Sequence, residues 1–263
     1  MHSEETNRGC IAFTLWGIPT VIRPSAWIML LILGSMRQPG APDALQTTLI
    51  FMVAGMLCLL VHEYGHALMC RAMGGSGSSI EIVSLGGVTH STNPPRTRMG
   101  RLLMVLAGPG ATALCALLVG LVIGRYIHSA GAGISLSLLL PLSPLLPADV
   151  LQQPLYESLI ALNEANMSGE ISLFTIKCLF TMSNVCVWWS LLNMLPILPL
   201  DGGETVRLCT NNLLLTCRIS IIVASLLLVV SIIQVALFSA LLCGYFAYHN
   251  WQVLKAMQSM RHQ

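Results

Sequence analysis

The sequence predicts an all-α polytopic membrane protein of about six transmembrane helices, with a short membrane-associated β-hairpin between the second and the third. Three observations carry this. Hydrophobic residues make up 55% of the 263 and charged residues 9%, against the roughly 25% charged content usual in soluble domains. Several uncharged runs reach the ~20 residues that a helix needs to cross a ~30 Å hydrocarbon core. Between two of these runs lies a β-branched, glycine-containing stretch of strand character.

The segments follow in chain order. Met1 to Arg8 is polar and acidic, and no small-residue cleavage site follows the apolar run near Trp27, so no leader is expected to be removed. Ser25 to Met36 forms the first span, extended by Ile18 to Ile22 although Arg23 and Pro24 interrupt the run. Leu45 to Cys70 is the second. Ser79 to His90, which reads Ser-Ile-Glu-Ile-Val-Ser-Leu-Gly-Gly-Val-Thr-His, is the hairpin around Gly86 and Gly87. Leu102 to Gly124, 23 residues without a charge, is the third span; Gly120 and Gly124 give it a small-residue face for close packing, with Gly108 further along. The connection from His128 to Gly169 contains no Lys or Arg. Its apolar start, Ile134 to Leu146, is short and broken by Pro141 and Pro144, which places it at the interface. Cys178 to Leu200, another 23 uncharged residues, is the fourth span, with Trp188 and Trp189 as bundle contacts. Ile219 to Leu254 runs 36 residues without a charge, too long for one span and enough for a helical hairpin turning near Ser231 to Gln234. No polar stretch is long enough for a second domain. Residues 1–263 are therefore expected to form one membrane-embedded domain, with a core over about 45–205 and a C-terminal helical hairpin over about 213–255.

Charge fixes an expected orientation. With both termini cytoplasmic, ten of the 13 Lys and Arg residues fall inside and only Arg37, Arg125 and Lys177 outside, as the positive-inside rule requires. The net charge of +2 and the scatter of basic residues set nucleic acid aside as a partner. The nine cysteines form no C-x-x-C pair, sit mostly in apolar runs, and read as small packing residues.

Near the end of the second span the chain reads His62-Glu63-Tyr64-Gly65-His66. On a helix, positions i and i+4 share a face, so His62 and His66 can grip one zinc ion while Glu63 addresses a water on it. Insertion scales charge about 2.5–3.5 kcal/mol for an Asp at the centre of a span, so a carboxylate such as Glu63 in a spanning helix needs a partner or a function. Two histidines leave a tetrahedral zinc one protein ligand short when the fourth position is kept for water or substrate. A candidate stands at the end of the fourth span, in Asn193-Met194-Leu195-Pro196-Ile197-Leu198-Pro199-Leu200-Asp201-Gly202-Gly203. The prolines break the helix and the glycine pair permits the turn after it, so the Asp201 carboxylate can swing back. Both segments precede a cytoplasmic loop and lie at comparable depth.

Together these residues resemble the site-2 protease family, the intramembrane zinc metalloproteases. His62-Glu63-Tyr64-Gly65-His66 is similar to its first motif, and Asn193-x-x-Pro196-x-x-Pro199-x-Asp201-Gly202 to its second; Ser84 to Val88 and Leu106 to Pro109 add to the likeness, which covers roughly residues 50–205. The resemblance implies one zinc ion per chain held by His62, His66 and Asp201. It implies Glu63 as general base and acid and Asn193 as a substrate-binding residue; Gly86 and Gly87 of the hairpin are further substrate-binding candidates. The implied substrate is a single-span membrane protein: a membrane-tethered transcription factor, an anti-sigma-type inhibitor or a signal-peptide remnant. It would be cut within or beside its transmembrane segment near the cytoplasmic face of a prokaryotic plasma membrane. An intact substrate helix hides its carbonyls in hydrogen bonds, so it must unwind before attack. The Ser79 to His90 ribbon could hold the unwound segment by strand addition, which makes proline at Ile82 the natural test. Two other readings are a divalent-metal transporter, which would need a polar track across the membrane, and a homologue that binds membrane proteins without cutting them.

Overall fold

The computed structural model describes residues 9–36, 40, 42–84, 86–145 and 148–259, with the backbone alone over 148–154. Expectations that fall on Met1 to Arg8, Arg37, Leu85, Leu146 and Arg261 lie outside the described residues. In chain order the elements are β1 (Ile11–Leu15), β2 (Ile18–Ile22), α1 (Pro24–Ser35), α2 (Ala44–Ala72), β3 (Ser76–Val83), β4 (Gly86–Asn93), α3 (Arg98–Tyr126) and α4 (Ala130–Leu139). They continue with α5 (Ala148–Met167), α6 (Leu173–Asn193), α7 (Asp201–Thr210), α8 (Leu213–Ile233) and α9 (Leu237–Ser259).

Among the described residues, four helices, α2, α3, α6 and α8, are long and apolar enough to cross a membrane and expose many leucines and valines, as in an integral membrane protein. The two further spans expected from sequence are helical but fall short of that standard. At about 1.5 Å rise per residue, the 12 residues of α1 reach only ~18 Å. The 23-residue α9 is the right length, yet it carries His249, Asn250, Gln252 and Lys255. It packs against α8 as the expected C-terminal hairpin, with the turn between Ile233 and Leu237.

The expected hairpin is half of a larger sheet. Its strands β3 and β4 pair antiparallel, Ile82 opposite Gly87 and Ile80 opposite Thr89, while β3 also pairs in parallel with β2. The strand order is β1-β2-β3-β4, which leaves β4 at an edge. Ile18 to Ile22, read from sequence as the start of a span, is β2. Its alternate residues Ile18, Thr20 and Ile22 are buried while Pro19 is exposed and Val21 half-buried, the two-residue period of a strand. That buried face joins Ile80 and Ile82 against Tyr64 and Ala67 of α2 and Ala26 and Leu30 of α1. Thr20 Oγ1 and Tyr64 OH lie 2.6 Å apart, fixing the sheet beneath the C-terminal half of α2.

The centre is a triad of α2, α3 and α6. Lipid offers helices little hydrophobic drive to associate, so small residues and interhelical hydrogen bonds do the holding. A Cβ on Gly65 of α2 would lie 2.5 Å from Ala107 O of α3, and Cys58, Ala116 and Cys186 fill the seam as small free thiols and a methyl. Thr112 and Ser190 hydroxyls meet at 2.6 Å, joining α3 to α6. Gly120 and Gly124 behave as expected, for α4 lies so close that a Cβ on Gly133 would meet Gly120 O and Gly124 N. The apolar stretch expected at the interface begins on α4, which packs against α3. Leu136 and Ser137 are buried, and the Ser137 hydroxyl donates to Ala116 O at 2.6 Å.

Candidate metal centre

The two halves of the candidate site arrive from opposite ends of the triad's sequence. His62, Glu63 and His66 are buried on the last turns of α2. Asp201 opens α7 after the broken stretch Met194 to Leu200, and the reason for the glycine pair is visible there. Cβ atoms on Gly202 and Gly203 would collide with Met194 O, Leu195 O and the Ile197–Leu198 peptide, so only glycine lets α7 pack on its own approach. The loop is held from behind. Asn250 Nδ2 of α9 donates to Leu198 O at 2.7 Å, and Leu198 N–H donates to Ser220 Oγ of α8 at 3.0 Å.

Three donor atoms converge. His62 Nε2 and His66 Nε2 are 3.1 Å apart, and Asp201 Oδ2 is 3.0 Å from the first and 3.4 Å from the second. Asp201 Oδ2 is buried without a hydrogen-bond partner among the described residues, an orphan that an electropositive occupant would satisfy. His66 Nδ1 lies 2.8 Å from Met104 O, which assigns its proton to Nδ1 and leaves the Nε2 lone pair pointing into the centre. A tetrahedral zinc with bonds of about 2.0–2.2 Å has ligand-to-ligand edges of roughly 3.3–3.5 Å, close to the three separations found. The residues therefore fit the ion.

Glu63 faces the sheet. Its Oε2 accepts from Thr89 Oγ1 at 2.7 Å, and a Cβ on Gly87 would lie 2.3 Å from Glu63 Cγ and 2.5 Å from Oε1. Gly87 thus gives the carboxylate its room. Gly86, at φ +135°, lies under the Trp189 ring. Asn193 is buried one turn after Trp189 and donates from Nδ2 to Trp189 O at 3.0 Å. The Trp189 ring packs edge-on to His62, with centroids 6.1 Å apart, so it belongs to the wall of the site as well as to the bundle.

Three contributors were not foreseen from sequence. Gly108, expected to serve helix packing, has its Cα against the metal-facing atoms: a Cβ there would lie 2.2 Å from His66 Nε2 and 2.9 Å from His62 Nε2. Its place in Leu106-Ala107-Gly108-Pro109 was the available signal. Thr89 and the Met104 carbonyl had none, because a strand threonine and a backbone oxygen look like any other until the chain folds. A second correction concerns Ile82. It lies on β3, between two strands and fully buried, so proline there would break the sheet and its core instead of probing an edge. The edge strands are β1 and β4, and β4 is the one that carries Gly87 and Thr89.

Comparison with solved structures finds the fold in the site-2 protease from Methanocaldococcus jannaschii, at TM-score 0.54 and 16% identity, covering 93% of this chain and 95% of that one. No curated protein sequence matches. A sequence model of peptidase family M50 matches residues 50–236, the stretch that contains His62, Glu63, His66, Asn193 and Asp201. With that match over more than half of its length, the chain belongs to peptidase family M50.

Proposed function

We propose that this membrane metalloprotease holds one zinc ion on His62, His66 and Asp201 and hydrolyses a peptide bond in or beside a transmembrane segment of another membrane protein. The observation that carries the reading is the convergence of two imidazole nitrogens and an orphaned carboxylate oxygen beside a second buried carboxylate. When bound, zinc supplies Lewis acidity toward a water and a peptide carbonyl. The chain's residues do the rest. Thr89 holds Oε2 of Glu63, so Oε1 is the oxygen that takes the proton of the attacking water and later returns it to the leaving amine. Met104 O fixes the His66 ring through the assigned Nδ1 proton.

Unwound substrate is held by adding to the free edge of β4, the strand whose Gly87 and Thr89 touch Glu63. Contact with substrate is assigned to Gly86, Gly87 and Asn193, on the ground that Gly86 and Asn193 both meet Trp189, which packs on His62. The partner is a single-span membrane protein such as a tethered transcription factor, an anti-sigma-type inhibitor or a signal-peptide remnant. Cleavage falls near the cytoplasmic face of a prokaryotic plasma membrane, with both chain termini on that side. Support for the orientation is the distribution of basic residues.

The test uses Glu63→Gln in protein reconstituted with a single-span substrate. Cleavage is lost while zinc content stays at one per chain. Unchanged cleavage would remove Glu63 from the mechanism, and zinc moving across vesicles would favour a transporter.

A further inference from the structure

Away from the metal centre, Arg96, Arg98, Arg101 and Arg207 line a cavity of about 410 Å³. We propose that this cavity binds the phosphate of an anionic phospholipid headgroup, in the leaflet where α3 and α8 begin. The charge is one-sided. Among the described residues the acidic partner is Glu204, and both its oxygens are taken by Arg207. Backbone carbonyls fix two further guanidinium groups: Arg98 donates to Leu208 O and Cys209 O, and Arg101 donates from Nε to Pro95 O at 3.0 Å. Arg96 makes no hydrogen bond or ion pair among the described residues, and its planar fork matches a phosphate in two-point geometry.

Two helix N-termini add to the field. α3 begins at Arg98 and α8 at Leu213, which itself lines the cavity, and each contributes partial positive charge from its first turn. Depth selects a lipid over a dissolved anion. The uncharged run of α3 begins at Leu102, so the arginines stand at headgroup level. On the first turns of α3 and α8 stand Met99, Leu103 and Leu215, 62%, 37% and 42% exposed, an apolar surface suited to the acyl chains of a lipid held by its phosphate. The cavity also meets α7 at the end opposite Asp201, so the lipid would bridge α3, α8 and the helix that carries the third metal donor.

The experiment reconstitutes the full chain in nanodiscs of phosphatidylcholine with phosphatidylglycerol and counts retained lipids by native mass spectrometry. Wild-type protein is expected to keep one phosphatidylglycerol in preference to phosphatidylcholine. Two arginines near an anionic surface are together worth on the order of 30-fold in affinity, so R96Q/R101Q should lose that retention by about this factor with its zinc content unchanged. If the double variant fails to fold, R96Q alone, which breaks no internal contact, should show a drop of about fivefold. Equal retention by folded variants overturns the proposal. Displacement of the bound lipid by millimolar inorganic phosphate overturns the assignment to a headgroup, and persistence against it supports that assignment.

Discussion

Substituting Gly108 with alanine tests whether α3 is shaped around the metal-binding atoms. In a helix interior this change normally stabilises by about 0.5–1 kcal/mol, because glycine carries more backbone entropy to lose. Here the new methyl would sit 2.2 Å from His66 Nε2, 2.4 Å from Cε1 and 2.9 Å from His62 Nε2. The His66 ring cannot simply swing aside, since Nδ1 is held to Met104 O on the same helix that carries residue 108. Relief therefore requires Nε2 to move by roughly 1 Å out of ligand position or α3 to back away from α2, and overpacking of this kind costs about 1–3 kcal/mol. Disturbing a residue that merely orients a ligand already weakens metal binding by 10–100-fold, so G108A should lower zinc affinity by about 100-fold, or about 2.8 kcal/mol. Chelator competition on purified protein reads this directly. Gly110, two residues on, is the control: a Cβ there meets nothing within 4 Å, and G110A should bind zinc normally. If G108A holds zinc as tightly as wild type, the donor atoms do not converge against α3 as described.

Other expectations follow from particular contacts. Gly87→Ala drives a methyl into the Glu63 carboxylate, so cleavage should fall by at least about tenfold, as for other displaced proton-transfer groups, while zinc content is retained; loss of zinc instead would show a wider collapse of the site. Asn250→Ala strips the donor from Leu198 O behind the Asp201 loop and should cost about 1–3 kcal/mol of stability together with a measurable loss of zinc affinity. Reduced melting temperature with unaltered zinc affinity would confine Asn250 to helix packing. At the opposite end of α2, a hydrogen bond from Lys177 holds the Asp43 carboxyl below its ordinary value. Its stabilising contribution is present above the unfolded carboxylate value of about 3.9 and is lost as pH falls through the lower folded value. The destabilisation caused by D43N should therefore be full at neutral pH and vanish in acid; a melting-temperature difference independent of pH would contradict the pairing.

Sequence alone determined what period and composition can encode. The long apolar runs gave the four long spans, the shared helical face gave His62 and His66, and the proline-broken stretch ending in Asp201 announced a third donor. Strand periods shorter than a helix turn were harder to see. Ile18 to Ile22 reads as apolar in a one-dimensional scan, and its alternation acquired meaning only once β3 lay beside it. The first expected span likewise came out short, because an apolar stretch does not declare whether its helix is 12 residues or 20. The tertiary structure decided everything that depends on proximity between distant segments. Gly108 against the imidazoles, Thr89 on Glu63, Met104 O on His66 and Asn250 behind Leu198 join residues dozens of positions apart. Such roles come from where a backbone atom ends up, and a carbonyl or an absent Cβ leaves no mark of its future neighbour in the letter that encodes it.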